Sequence, residues 1–494
     1  MFNFKNPNQL YMKIYLRYIL IFLILIIAGY ITINFLVSKR IDSLLSEEKN
    51  LTYSGISINS LTGSLGLEDV NFTDTSKQIY IETIDINLDL IHYVINSKIR
   101  IQNVDADGLD LKIISSPDSE KISNKKLDFT QIDKLQLKNS KIRIKKENKT
   151  DFTISNFQLE IEDLQWSSME DFSWLGNKTL RIEAEDLRYE LDLLHNLKSE
   201  KFLYENARFT LSEFSIEPKF KKSNYVKHIE TEKDLMTLKS KAIQATGFDF
   251  ENKNSLKSIV FNKILIDTTS FNIYRDKTIA DDTSIKNLYS ESLRNLNFQL
   301  SIDSLLVSNL NLTYQELIDK DLKPGQIQFN SIQAEITNIH NSLKADHPNI
   351  KVQANAKFTE NSEILFDYNF VPDHEQFYVT TRLRQIKDSS INDFFGPAMR
   401  MKLDGEINDI RTNINGNNSK MNGDFSIAYK KLRLNILKKD GSKNNFASLL
   451  SNVFLKNKDV DDNHKIKVVE RDNTKSFWNY VWNFHFQGLK KSLL

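Results

Sequence analysis

Apolar and polar residues alternate along most of this chain, from Leu51 to Ile436. That is the period of a β-strand, whose successive side chains lie on opposite faces of the pleat. Residues 84–90 are the cleanest instance: Ile84, Ile86, Leu88 and Leu90 share one face, and Asp85, Asn87 and Asp89 the other. Downstream, Ile99 and Ile101 stand before Asp107-Gly108, and Leu109, Leu111 and Ile113 after it. Asp-Gly between alternating runs predicts a hairpin turn there.

A longer unit recurs without strict identity. "KLQLKNSKIRIKK" (134–146) precedes "FTISNFQLEIEDLQW" (152–166), and "AIQATGFDFEN" (242–252) precedes "KILIDTTSFNIYRD" (263–276). "SLLVSNLNLTYQE" (304–316) precedes "GQIQFNSIQAEITNI" (325–339). Each reads apolar-x-apolar, a polar pair, apolar-x-apolar, then a charged turn. Such repetition of short strands predicts a sheet extended by adding similar units. Alternation is clean again from Met401, through Leu403 and Ile407 and on to Phe425 and Ile427. Helices are expected to be brief: 91–97, Ile285–Leu293, Ile391–Phe395 and a segment from Asn445 to Leu455. An acidic loop at 459–464, a strand "IKVVE" and an aromatic-rich helix in "NTKSFWNYVWNFHFQGLKKSLL" complete the chain.

One stretch breaks the period. Tyr18 to Val37 holds no charged residue. As a helix it would be about 30 Å long, the thickness of a bilayer's hydrocarbon core. The pattern predicts an uncleaved anchor, with residues 1–17 as a cytoplasmic tail and 38–50 as a linker helix. The expected fold is mainly β: an N-terminal transmembrane helix followed by an extended sheet with one apolar face, with short helices and a C-terminal amphipathic helix. The expected divisions are 51–170 as an N-terminal β module, 171–390 as a repeating β-groove segment, 391–440 as a C-terminal β segment and 441–494 as a helical cap or membrane-interfacial segment.

Composition removes several function classes. Lys+Arg number 66 against 65 Asp+Glu, so no basic excess is present to neutralise a phosphate backbone, and nucleic acid is not an expected partner. Cysteine is absent, which excludes disulfides and thiolate metal sites. There is no H-E-x-x-H, P-loop or G-x-S-x-G motif, and no two histidines stand at i, i+4. "NVDADG" (103–108) matches the start of a calcium loop, but Ile114 occupies the place of the bidentate Glu. "DDNH" (461–464) reads as a solvated loop. No catalytic residue, metal site or cofactor is expected, and the chain does not read as an enzyme.

What remains is the apolar face. An open curled sheet leaves that face to water unless something apolar occupies it, and large exposed apolar surfaces mark binding sites. Acyl chains suit such a surface, since each buried CH₂ contributes about 0.8 kcal/mol without any polar contact. The expected groove lining is Ile84, Ile86 and Leu88, then Leu135, Leu137, Ile142 and Ile144, then Phe157 and Leu159. Phe248, Phe250, Leu310 and Leu312 continue it, followed by Met401, Leu403, Phe425 and Ile427. At the C-terminus, Phe477, Trp478, Tyr480, Trp482 and Phe484 give a helix an aromatic face. That face suits either a cap on the last strands or a membrane interface.

The segments "YSGISINSLTGSLGLEDVNF" and "IETIDINLDLIHYVINSKIRIQNVDADGLDLKI", placed after an N-terminal anchor, resemble the start of the AsmA-like family of envelope proteins (AsmA/TamB/YhdP-type). "MKLDGEINDIRTNINGNNSKMNGDFSIAYKKLRLNIL" and "FWNYVWNFHFQGL" are similar to the C-terminal portion of the same group. The resemblance implies a single-pass inner-membrane protein with its bulk in the periplasm, related to bridge-like lipid-transfer proteins, and an elongated, curled antiparallel sheet forming an apolar groove. It implies lipid transport and outer-membrane biogenesis, with phospholipid or another acyl lipid and the inner membrane as partners. The outer membrane's inner leaflet or an envelope protein is a further partner it admits. The alternative is a structural or assembly factor for outer-membrane components, engaging clients by strand addition at the sheet edge.

Overall fold

The structure, a computed structural model, describes residues 20, 23–32, 34–36, 38–39, 42–43, 50–89, 92, 99–115, 129–146, 149–165, 173–176, 179–253, 256–343, 347–438 and 458–493. It is mainly β. The chain divides into two units, Met1–Glu185 and Asp186–Leu494.

In the first unit β1 (Leu51–Thr52) and β2 (Gly55–Asn59) lie end to end along β3 (Ser64–Thr73), which pairs with β4 (Lys77–Leu88). Next come β5 (Ile99–Asp107) and β6 (Asp110–Ser115), then β7 (Phe129–Lys146) and β8 (Lys149–Gln165). The expected hairpin at Asp107-Gly108 does not form. Thr83 pairs with Asp107 and Tyr80 with Asp110, so β5 and β6 are one strand running in a single direction. Gly108 kinks it, with φ of 70°, a conformation that glycine adopts without the steric cost other residues carry. β5 and β6 run parallel to β7, so the sheet is mixed, not antiparallel as expected. β9 (Arg181–Glu190) spans the division between the units.

The second unit holds β10 (His195–Glu205), β11 (Arg208–Pro218), β12 (Leu235–Thr246), β13 (Asp249–Lys253) and β14 (Leu256–Asp276). α1 (Tyr289–Arg294) lies in the crossover to β15 (Gln299–Leu317), and β16 (Gly325–His340), β17 (Ile350–Lys357), β18 (Glu363–Phe370) and β19 (Phe377–Lys387) follow. α2 (Asp388–Met399), β20 (Met401–Gly416), β21 (Lys420–Ile436), β22 (Lys458–Glu470) and α3 (Phe477–Leu493) complete it. β14 and β15 are parallel. The 22 residues between Asp276 and Gln299 are long enough to carry the chain back to the starting end. The acidic segment 459–464 is part of β22, not a loop. The helix expected at 445–455 lies outside the described residues, as does the one at 91–97 except for His92.

The polar pairs of the repeated unit sit inside long strands, not between short ones. β14 has 21 residues and β15 has 19. Each carries a left-handed residue midway: Thr268 at φ 40° and Asn309 at φ 53°. These two stand side by side, between the pairs Asp267–Ser308 and Thr269–Leu310. Glu213 of β11 (φ 47°) lies at the same level, two strands away across β12. In the first unit Gly108 and Asn139 (φ 47°) are likewise adjacent. The register of β7 against β8 slips at Asn139, and that of β15 against β16 slips at Asn309. Such a slip marks a bulge, which bends the strand and increases its twist. Across β11, β12, β14 and β15 the register runs on unbroken, and the left-handed residues stand on one line.

Hydroxyl groups satisfy the backbone at that line. Ser240 Oγ donates to Asp267 O (2.9 Å) and accepts from Thr269 Oγ1 (3.0 Å). Ser199 Oγ donates to Ser212 O (2.9 Å), and Ser140 Oγ to Lys138 O (3.0 Å) in the first unit. All four hydroxyl residues are buried, where an unpaired polar group would be costly.

At the N-terminus, positions 23–32 and 34–36 are helical. Among the described residues no helix is long and apolar enough to cross a membrane. Residues 18, 19, 21, 22, 33 and 37 of the expected anchor lie outside them. Leu23 to Ile27, Ile31, Phe35 and Leu36 on this helix are exposed.

Candidate functional site

The apolar positions change phase at the left-handed residues. Ile264 and Ile266 precede Thr268 in β14, and Phe271 and Ile273 follow it; all four are half-buried. Leu135 and Leu137 precede Asn139 in β7, and Ile142 and Ile144 follow it.

In the first unit the register brings the expected residues together. Leu67, Ile84, Ala106, Leu137 and Leu159 form one row of direct partners across five strands. Leu65, Ile86, Val104, Leu135 and Ile161 form the next. Beyond the kink, Ile79, Leu111 and Ile142 are aligned, as are Ile113 and Ile144. Phe157 pairs with Ser140, and Leu88 with Ile101. Leu159 and Ile161 are buried, while Ile84, Ile86, Leu135, Leu137, Ile142, Ile144 and Phe157 are half-buried.

The second unit carries a longer row. Phe202, Leu211, Ile243, Ile266, Val307, Ala334, Ala354, Phe366, Thr381, Thr412 and Phe425 are successive partners from β10 to β21. From Phe202 to Phe366 every member is half-buried. The last three are 5%, 1% and 0% exposed. The difference is helix α3. Its Phe477 ring meets Tyr368 (4.8 Å) and Phe377 (5.5 Å). His485 Nε2 accepts from Thr381 Oγ1 (2.8 Å), its Nδ1–H donating to Val481 O (2.9 Å). Gly488 approaches Phe425 so closely that a Cβ would lie 2.3 Å from the ring.

α2 covers a neighbouring part of the same face. Its Phe394 ring lies 5.9 Å from Tyr314, and Asn392 brackets the Leu403 backbone with hydrogen bonds of 2.6 and 2.8 Å. Leu403 (2%), Phe425 (0%) and Ile427 (1%) are therefore core residues beneath helices, not groove lining as expected. Met401 is half-buried. On α3, Phe477, Tyr480, Val481 and Phe484 pack into that core, Trp482 abuts Phe395 (5.7 Å), and Trp478 is 55% exposed.

Away from the helices, the face between β10 and β15 carries aromatic rings in mutual contact. Phe248 lies 5.7 Å from Tyr204, 6.4 Å from Phe209 and 5.3 Å from Phe261. Phe248 and Phe250, expected from the sequence, are here, with Leu310 and Leu312 beyond the bulge; all four are half-buried. Phe202, Phe209, Leu211 and Phe261 were not singled out. Phe202 and Phe209 lie in "KFLYENARFT", where Asn206 and Ala207 (φ 53° and 55°) make the tight turn that sets β10 against β11.

Polar groups mark the limit of this surface. Arg275 donates two hydrogen bonds to Asp234 at 2.7 Å each, and Tyr314 Oη donates to Glu316 at 2.7 Å. Burial pushes the Tyr314 phenol well above its usual range, and the Glu316 carboxylate adds to the shift. These partners are fixed to one another, an arrangement that holds structure rather than a reacting group. Among the described residues no cluster of histidine or carboxylate side chains is placed to hold a metal. Compared with known proteins, the chain matches no family model and none of the curated proteins.

Proposed function

We propose that this protein is held in a membrane by residues 18–37 and shelters acyl chains against the half-buried apolar face of its sheet. One observation carries this reading: the row from Phe202 to Phe425 keeps one face through the second unit, yet is buried only beneath α3. Where helices lie over it, the face is a core. Between β10 and β15 the same face is half-buried, and Phe202, Leu211, Ile243, Ile266 and Val307 keep apolar surface to offer. Acyl chains match that surface in chemistry, and the fit requires no polar motif.

The exposed helix at 23–36 supports the membrane anchor. Its large apolar side chains are 48–64% exposed, unfavourable in water and favourable in hydrocarbon. An AsmA-like place in the envelope, with the sheet in the periplasm serving lipid transport to the outer membrane, is consistent with this arrangement. The test is a photo-crosslinking amino acid in the full chain, expressed in cells. At Leu211 or Ile266 it should give adducts with the mass of a phospholipid. At Thr210 or Gln244, the adjacent positions on the opposite face, it should not. Equal labelling of both faces would remove the lipid site and leave a structural or assembly role.

A further inference from the structure

The turn between β2 and β3 presents Leu61, 79% exposed. It is a held turn: Asn59 Oδ1 accepts from the backbone N–H of Leu61 (3.1 Å) and Thr62 (3.3 Å), and Gly63 N–H donates to Asn59 O (2.8 Å). The eighteen residues from Asn50 to Leu67 contain no charge, in a chain that is 27% charged. At that frequency about five charges belong there. The turn at the other end of β3 is different. Asp74 lies in it and Lys77 opens β4, and Asp74 Oδ1 accepts from Ser76 N–H (2.7 Å) and Lys77 N–H (2.8 Å). The two ends of one strand thus meet different surroundings.

A hydrogen bond fixes the level of the uncharged end. Ser60 N–H donates to Asn34 Oδ1 of the N-terminal helix at 2.6 Å. Asn34 stands three residues before Val37, the end of the uncharged run. At 1.5 Å per residue, the turn lies about 4–5 Å inside the end of that run. Its neighbours on the helix, Ile31, Phe35 and Leu36, are exposed apolar residues. A depth of about 5–10 Å is that of side chains at the boundary between headgroups and acyl chains.

We propose that the turn Asn59–Gly63 inserts Leu61 into the headgroup–acyl boundary of the bilayer that holds the helix, a second contact between the first unit and the lipid surface. This rests on the anchor proposed above. It has a consequence for the apolar face. Leu88 N–H donates to Gly63 O (3.0 Å), so the end of β4 lies at the same level. The row containing Leu65, Ile86 and Leu135 then begins beside the membrane, and acyl chains can pass to it without crossing water.

The absence of cysteine from the chain permits single-site labelling of the full protein. An environment-sensitive fluorophore is placed at Leu61→Cys, Ile27→Cys or Thr75→Cys, and the chain is reconstituted in phosphatidylethanolamine/phosphatidylglycerol vesicles. Part of the lipid carries a spin label in the headgroup region or on the acyl chain. The expected result is blue-shifted emission at position 61 with loss of signal to the headgroup label. Position 27 should lose signal to the acyl label, and position 75 to neither. Position 61 behaving like 75 while 27 is quenched would overturn the inserted turn and leave the anchor standing. Position 27 behaving like 75 would overturn both.

Discussion

Two alanine substitutions on one row of the sheet, Phe425→Ala and Ile266→Ala, should have effects of different kind and size. Phe425 is 0% exposed and closed over by Gly488 and His485 of α3. Its truncation leaves a cavity in a filled core, a change that costs about 3–5 kcal/mol. Ile266 is half-buried, so its truncation removes part of a contact and leaves no sealed cavity, at about 1 kcal/mol. The readout is hydrogen exchange along α3, measured by mass spectrometry on the full chain. If α3 opens as a unit, 3–5 kcal/mol raises exchange of its amides by about two to three and a half orders of magnitude. Ile266→Ala should leave α3 protected and instead reduce phospholipid adducts formed from a crosslinker at Leu211. Equal loosening of α3 in both variants would refute the division of this face into a covered part and an open one. So would a loss of adducts in Phe425→Ala with α3 still protected.

Three other outcomes follow from the same contacts. Ser240→Ala removes the donor to Asp267 O and the acceptor of Thr269, and should lower stability in urea by about 1–3 kcal/mol; an unchanged midpoint would mean water replaces the hydroxyl. Gly108→Ala forces a left-handed alanine and sets its Cβ 2.7 Å from that of Glu82, costing about 1–2 kcal/mol for the backbone alone; adding Glu82→Ala should leave that loss in place, since Glu82 keeps a Cβ in either form. Packing against the sheet lowers the His485 pKa below its ordinary 6.5, so the folded chain favours the neutral ring. Its stabilisation is complete above pH 6.5 and is lost as pH falls below that value toward the depressed folded pKa, by at most about 1.4 kcal/mol per pH unit. His485→Gln should flatten the urea midpoint between pH 7 and 5.5, and an identical slope in the variant would show that the acid sensitivity arises elsewhere.

Alternation in the sequence was enough to assign Ile84, Ile86, Leu135 and Leu137 to one face, because period alone decides which way a strand residue points. The change of phase was also legible in part: Ile266 and Phe271 are an odd number of residues apart, and the left-handed Thr268 lies between them. The direction of strands was less accessible. Asp107-Gly108 matches a hairpin signal, but Gly108 supplies the same left-handed conformation to a kink in a continuous strand. Whether β14 and β15 run parallel depends on the path of the residues between them, which local pattern does not encode.

Period cannot say what covers a face, and here that decides function. Leu403 and Phe425 alternate as cleanly as Ile84 and Ile86, yet they lie beneath helices that begin many residues away. The informative signal lay in α3 itself. Phe477, Val481, Phe484 and Gly488 make one stripe, and such a stripe requires an apolar partner surface of its own. Among the described residues two helices, α2 and α3, cover part of a face whose row of partners spans eleven strands in the second unit. The described helices leave the remaining surface half-buried. If acyl chains shelter it, as proposed, they can arrive and leave without unfolding the sheet, which a core residue cannot. The contrast between Ile266 and Phe425 on one row tests that difference directly.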